Sequence, residues 1–215
     1  MFIITAFFVF QHNVNFNKLY YDKPATTWNE ALPIGNGRIA AMLFGGIKEE
    51  HIQLNEETVW AGGPHNNVNP RSAEYYNIVR DLVFKKEYQK AQEIANKYIY
   101  SVQNGMPYQP VGDVFIEFLN HTDDINMVKN YTRELDIQNA IFKVSYEINN
   151  IKYYREVFTS FDKNIMVVKI WSDKKNNLNL KLKVTSPQKS KTTYLPDRII
   201  LDGKTGDWEG IRGQV

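Results

Sequence analysis

Cysteine is absent from all 215 residues. Disulfides, thiolate metal sites and a cysteine nucleophile are therefore excluded. Histidine is scarce, and the four present (His12, His51, His65 and His121) show no metal-ligand spacing. Neither a phosphate-cradling glycine loop nor a Gly-x-Ser-x-Gly elbow occurs. No charge of one sign dominates: 26 basic residues stand against 24 acidic ones, mixed along the chain. A nucleic-acid partner needs Lys and Arg gathered on one face, so none is expected. Long apolar runs are missing too. Met1–Phe10 is apolar, but a bilayer span takes ~20 residues. No metal, cofactor or membrane span is expected.

What is present is enough apolar and aromatic side chain, 43% and 13%, to build a folded core rather than a disordered chain. Residues 1–18 read as an apolar leader and an Asn-rich linker. The leader matches the apolar half of a secretory signal, without a preceding positive charge or a clean small-residue cleavage site. It reads equally as an inconsequential apolar leader or a buried first strand. Export to the periplasm or exterior is expected only under the first reading. The folded domain is expected over 19–215.

Asn36-Gly37 lies between two apolar runs, the strongest short-range hairpin signal, with both residues expected at positive φ. Gly45-Gly46 ends the second run, and Ile52 and Leu54 alternate with His51 and Gln53 in a third. From Ser72 to Tyr98 the apolar spacing turns helical, with Ser72 as a candidate cap and a break near Lys85-Lys86. Phe142, Val144, Tyr146 and Ile148 then share one strand face. A turn at Asn149-Asn150 sets Tyr146 opposite Tyr153 and Phe142 opposite Val157. Asp162-Lys163 turns again, and Leu178, Leu180, Leu182 and Val184 alternate with polar residues, the lysines forming the wet face. Many short strands with polar turns predict a mainly β fold: a large antiparallel β-sandwich with a short helical insert.

Three segments carry a specific resemblance: Leu19–Arg38, with Trp-Asn-Glu-Ala-Leu-Pro-Ile-Gly-Asn-Gly at 28–37; Ile52–Pro64, with Gln-Leu-Asn-Glu-Glu-Thr-Val-Trp-Ala-Gly-Gly; and Tyr108–Asp113. Tyr131–Asp136 and Tyr154–Ser160 add to it. Together they resemble the amino-terminal domain of glycoside hydrolase family 95, the α-L-fucosidase type. The resemblance implies a β-sandwich of the super-sandwich type, followed in the family by a helical linker, a catalytic α/α barrel and a small carboxy-terminal β domain. It implies hydrolysis of terminal α-L-fucosides of glycans with inversion. The acid and base of that reaction lie in the barrel, before which this sequence is expected to stop. No catalytic residue is therefore assigned. The expected partners are the barrel of the same enzyme and a fucosylated glycan.

Trp28, Asn29, Glu30, Asn36, Asn55, Glu56 and Trp60 are the candidate substrate-binding or domain-docking residues, on loops at 28–37, 55–64 and 104–113. Trp28 and Trp60 suit a sugar-stacking platform, or packing beneath Gly-rich loops. Glu30, Glu56, Glu57 and Asp113 read as caps, loop hydrogen bonds or interface contacts, against an acid/base role. The asparagines read as loop supports, against sugar-hydroxyl partners. These loops are expected at one end of the sandwich, facing the barrel. The alternatives are a free-standing carbohydrate-binding or scaffold module, and a decayed gene product.

Overall fold

The structure is a computed structural model that describes residues 17–101, 105–122 and 124–214. The apolar leader, most of the linker and Asn104 of the third loop lie outside the described residues. In chain order the elements are β1 (Lys18–Tyr21), β2 (Leu32–Gly35), β3 (Ile39–Leu43), β4 (Glu49–Glu56), α1 (Ser72–Phe84), α2 (Tyr88–Tyr98) and β5 (Gly112–Phe118). There follow β6 (Val128–Asp136), β7 (Ile141–Ile148), β8 (Ile151–Ser160), β9 (Ile165–Ser172), β10 (Leu180–Thr185), β11 (Lys189–Tyr194) and β12 (Ile199–Lys204). Short 3-10 turns occupy Trp28–Glu30 and Ile125–Met127. The fold is mainly β with antiparallel pairing and two short helices, as the patterning predicts.

The chain divides into two compact units: one holds the chain up to Leu54 together with Asp113–Lys183, the other Asn55–Gly112 and Val184 onward. In the first unit two sheets supply a shared core. One runs β1-β6-β7-β8-β9 and the other β10-β5-β4-β3-β2. Leu32, Ile34, Leu43, Ile52 and Phe118 of the second sheet join Leu135, Phe142, Val144 and Val157 of the first in one buried cluster. Strict alternation along β7 buries every second residue, the pattern a half-wet strand requires.

The β7–β8 hairpin has the expected register: Tyr146 pairs with Tyr153 and Phe142 with Val157. Asn149 and Asn150 both take positive φ, 51° and 58°, the backbone a two-residue turn of this hand needs. The β2–β3 hairpin also forms, with one correction. Only Gly37 has positive φ, at 92°. Asn36 stays in the paired arm, and its side-chain oxygen accepts the N–H groups of Arg38 and Ile39 at 3.0 and 2.9 Å. The tip is therefore Gly37-Arg38, with glycine at the first position.

In the second unit, α1 and α2 separate at Lys86, whose φ of 62° ends the first helix. Tyr75 stacks on Tyr98 at 3.9 Å, and the Arg71 guanidinium covers both rings. Ser72 is not the cap; it is the first helical residue, and Asn69 accepts the Arg71 N–H instead. Strands β11 and β12 pair as a separate two-stranded sheet.

The leucines of β10 alternate as expected, yet Leu182 is 50% exposed. β10 is an edge strand. Alternation sets which way a side chain points, and burial additionally needs something opposite.

Candidate functional site

Of the candidate residues, Glu30, Asn36, Glu56 and Trp60 are held by side-chain hydrogen bonds. In the first unit, Trp28 begins the 3-10 turn and is 55% exposed, with Asn29 also exposed beside it. The Glu30 carboxylate folds back over the turn. It accepts the Thr26 N–H at 2.8 Å, the Thr26 hydroxyl at 2.9 Å and the Thr27 N–H at 3.4 Å. The Thr26 N–H first, then its hydroxyl, hold this carboxyl below the usual carboxylate range. A carboxyl so held is a poor proton donor at neutral pH.

Beneath this turn lies Arg133 of β6, fully buried. It donates to the Glu30 carbonyl at 2.7 Å and to the Lys23 carbonyl at 3.3 Å, with the Tyr21 ring 4.5 Å from its guanidinium. Segment 21–30 is thus clamped from inside by a residue read from sequence only as part of a strand.

Asn36 donates to the Ser160 carbonyl at 2.8 Å and so ties the β2–β3 hairpin to the end of β8. Asn36→Ala removes this bond and both turn bonds. We expect a loss of about 1–2 kcal/mol, read as a lower urea midpoint, with faster amide exchange at Arg38 and Ile39. Asn36→Asp, which keeps the acceptor, should lose less. Equal stability of Asn36→Ala and wild type would contradict this role.

In the second unit, the 55–64 loop and residues 105–112 come together. Trp60 and Tyr108 form an antiparallel bridge, with Ala61 N–H donating to Pro107 and Gln109 N–H to Val59, both at 2.9 Å. The Trp60 indole donates to the Glu57 carbonyl at 2.7 Å and meets Tyr108 edge-on at 5.0 Å, with the ring still 44% exposed. Tyr108 donates in turn to the Glu56 carbonyl. The Glu56 carboxylate accepts the N–H and hydroxyl of Thr58 at 2.8 and 2.5 Å. Asn55 is half-buried at the end of β4.

A third segment, missed from sequence, completes this cluster: residues 205–214. Gly62 N–H donates to the Gly206 carbonyl at 2.7 Å, and Gly206 N–H donates to the Gln109 side chain at 2.9 Å. Gly62 has φ of 72° with Met106, Ile211 and Trp208 packed against it, leaving no room for a side chain.

Asp113 is engaged within the first unit. Its carboxylate lies 2.6 Å from His51 Nε2, and that ring is stacked between Phe44 and Phe115 at 4.4 and 4.7 Å. With both faces covered and one nitrogen bonded, the imidazole locks β4 to β5. Among the described residues no three His, Asp or Glu side chains cluster as a metal site, and no helix is long and apolar enough to cross a membrane.

A family model described as glycosyl hydrolase family 65, N-terminal domain, matches residues 19–214. The chain belongs to this family. This glycosyl hydrolase amino-terminal domain is also 34% identical over 188 residues to "Alpha-L-fucosidase 2" of Arabidopsis thaliana, covering 86% of the chain and 22% of that protein. It is 29% identical over 164 residues to "Probable alpha-fucosidase A" of Aspergillus oryzae, covering 72% of the chain and 21% of that protein. The domain thus spans about a fifth of the length of the curated relatives it matches. Its standing as a glycosidase amino-terminal domain rests on the family model and on these relatives together.

Proposed function

We propose that this chain is the amino-terminal, non-catalytic domain of an inverting α-L-fucosidase-like glycoside hydrolase of family 95, acting on terminal α-L-fucosides of glycans. The observation that carries the reading is the 34% identity, across 86% of the chain, to a protein named an α-L-fucosidase. Inversion requires two carboxyl groups ~6.5–9.5 Å apart, one protonated and one ionised. Three of the four motif carboxylates are already engaged, which leaves Glu57 without a partner for such a pair. Glu30 staples its own turn, Glu56 holds Thr58, and Asp113 is bonded to His51. The acid and base are therefore assigned to an α/α barrel elsewhere in the enzyme.

The candidate loops of each unit supply contacts to the barrel. Trp28 and Trp60 present large exposed rings, and Trp60 has its N–H already satisfied, so its apolar area can be buried without orphaning a donor. Asn29, exposed next to Trp28, supplies a polar group there, and Asn55 supplies another at the end of β4.

The purified chain should not hydrolyse an aryl α-L-fucoside above a matched blank. A chimera in which it replaces the matching segment of the Arabidopsis relative should hydrolyse it, releasing β-L-fucose first. Trp28→Ala with Trp60→Ala should lower chimera activity. Turnover that co-purifies with the isolated chain, or a folded but inactive chimera, would overturn the proposal.

A further inference from the structure

The outer face of the first sheet carries an arrangement that the docking loops do not use. Pairing sets Thr132 opposite Ser145, Ser145 opposite Tyr154, and Tyr154 opposite Trp171. Their neighbours Arg133, Val144, Tyr153 and Arg155 are buried, so these four point outward as one row across β6, β7, β8 and β9. The two hydroxyls lie 2.8 Å apart. Tyr154 and Trp171 stack at 5.2 Å with 15° between their planes. Trp171 covers the β9 side of the Tyr154 ring, so the other ring face turns toward β7, above the hydroxyl pair. Two shallow depressions meet there, and both include Thr132, Ser145 and Tyr154.

The rows on either side are charged but alternate in sign. Glu134, Lys143, Glu156 and Lys169 lie opposite one another in turn. On the other side Glu147 faces both Lys129 and Lys152. Lys143 and Lys169 each lie 3.9 Å from Glu156, and Lys169 also sits 4.5 Å from the Trp171 ring. Such rows stabilise a wet sheet by themselves. Four lysines stand against three glutamates in these rows, a net charge of only +1 and already cross-paired, which is little to recruit an ionic ligand. They do offer many hydrogen-bonding ends around one free aromatic face. A pyranose fits that chemistry: its C–H face packs on the ring, and its hydroxyls reach the side-chain oxygens and ammonium groups.

We propose that this row is a second, non-catalytic binding site for an uncharged oligosaccharide, with the Tyr154 ring as the stacking wall and the Thr132 and Ser145 hydroxyls as the floor. The choice of a sugar rests on the glycosidase reading above. The site would hold the glycan near the enzyme without contributing to bond cleavage.

The test is titration of the 15N-labelled chain with 2′-fucosyllactose and with lactose. The Trp171 indole N–H signal, assigned by its loss in Trp171→Phe, should shift saturably with a Kd of about 1 mM. Tyr154→Ala should weaken binding about tenfold, equivalent to ~1.4 kcal/mol. Thr132→Val, which keeps the strand-forming shape, should weaken it about threefold through loss of one hydrogen bond. Phe84→Ser, on α1, should bind as wild type. No saturable shift with either sugar at about 20 mM, twentyfold above that Kd, overturns the proposal. Unchanged affinity in folded Tyr154→Ala or Thr132→Val also overturns it. Fucosidase turnover by the chimera without this shift would sink the strip alone; the shift without turnover would sink the fucosidase reading alone.

Discussion

Arg155→Met is expected to cost about 3–5 kcal/mol, the range for stranding one member of a buried ion pair. Small domains have only ~5–15 kcal/mol in all, so this loss is roughly a third or more of a typical domain's stability. Arg155 and Glu50 are both buried, and Arg155 Nη1 is ion-paired with Glu50 Oε2. Arg155 Nη2 donates to the Gly46 carbonyl at 3.1 Å, and its guanidinium lies over the Phe118 ring. Burial pushes this guanidinium down to about 9, which still leaves it charged at neutral pH. Glu50 Oε1 accepts the N–H groups of Phe44 and Gly45 at 3.1 and 2.8 Å. Removing the arginine therefore leaves a carboxylate in the core with nothing to balance its charge. Glu50→Gln combined with Arg155→Met removes both charges while keeping the acceptor for the two N–H groups, and should recover a large part of the loss. Urea unfolding of the two variants decides the matter: a single variant within about 1 kcal/mol of wild type would show the pair to be dispensable.

The pair also matters for the candidate loops. It fixes the Gly45-Gly46 turn, where Gly45 packs against the stem of Arg133 and its carbonyl accepts the Tyr131 hydroxyl at 2.7 Å. Arg133 is the clamp on Glu30. A loosened core should therefore be felt at Trp28.

Acidification from pH 6.5 to 4 should destabilise the fold by on the order of 3 kcal/mol through His121. This ring is 8% exposed, and neither nitrogen has a hydrogen-bond partner among the described residues. It packs among Phe118, Tyr146 and Tyr153 at 4.8, 5.5 and 4.3 Å. Burial pushes its pKa down to about 4, because the cation would lose its hydration. An unfolded histidine titrates near ~6.5. The unfolded chain therefore binds the extra proton first. The stabilisation is fully present above that pH and is lost as pH falls through the folded value. Below this window Glu30 and Asp136, both held below the carboxylate range by hydrogen bonds, add their own losses. Urea midpoints at pH 7 and about 4.5 would measure the change, and His121→Phe should flatten it. A wild-type midpoint that does not move across this range would show that His121 is protonated in the native state.

How far the fold could be read depended on whether each feature is local. The β7–β8 hairpin was legible because Asn149 and Asn150 tolerate positive φ and the flanking alternation has a period of two. The helical insert was legible from its 3.6-residue spacing, and its break from the Lys-Lys step that places Lys86 at positive φ. The cap was misread because Ser72 and Asn69 both suit a helix start, and which side-chain oxygen reaches a free N–H there depends on the path by which the chain enters the helix. The row from Thr132 to Trp171 was half legible: once Tyr146 faces Tyr153, Ser145 must face Tyr154. Its other half needed the β6–β7 pairing, which shifts register between Lys129 and Thr132.

By itself the sequence determined most of the strands, the β7–β8 turn, the helical pair and the motifs that mark a glycosidase amino-terminal domain, because propensity, side-chain period and turn chemistry act over a few residues. Only the tertiary structure decided what the motif residues do. It placed Asp113 on His51, set Arg155 against Glu50, put Arg133 under Glu30, and brought residues 205–214 to the Trp60 loop. It also left the β10 leucines uncovered at a sheet edge. The partners in these contacts are far apart in the chain. Which of them meet is set by the order of strands in each sheet and by what lies opposite, and neither is encoded in local spacing.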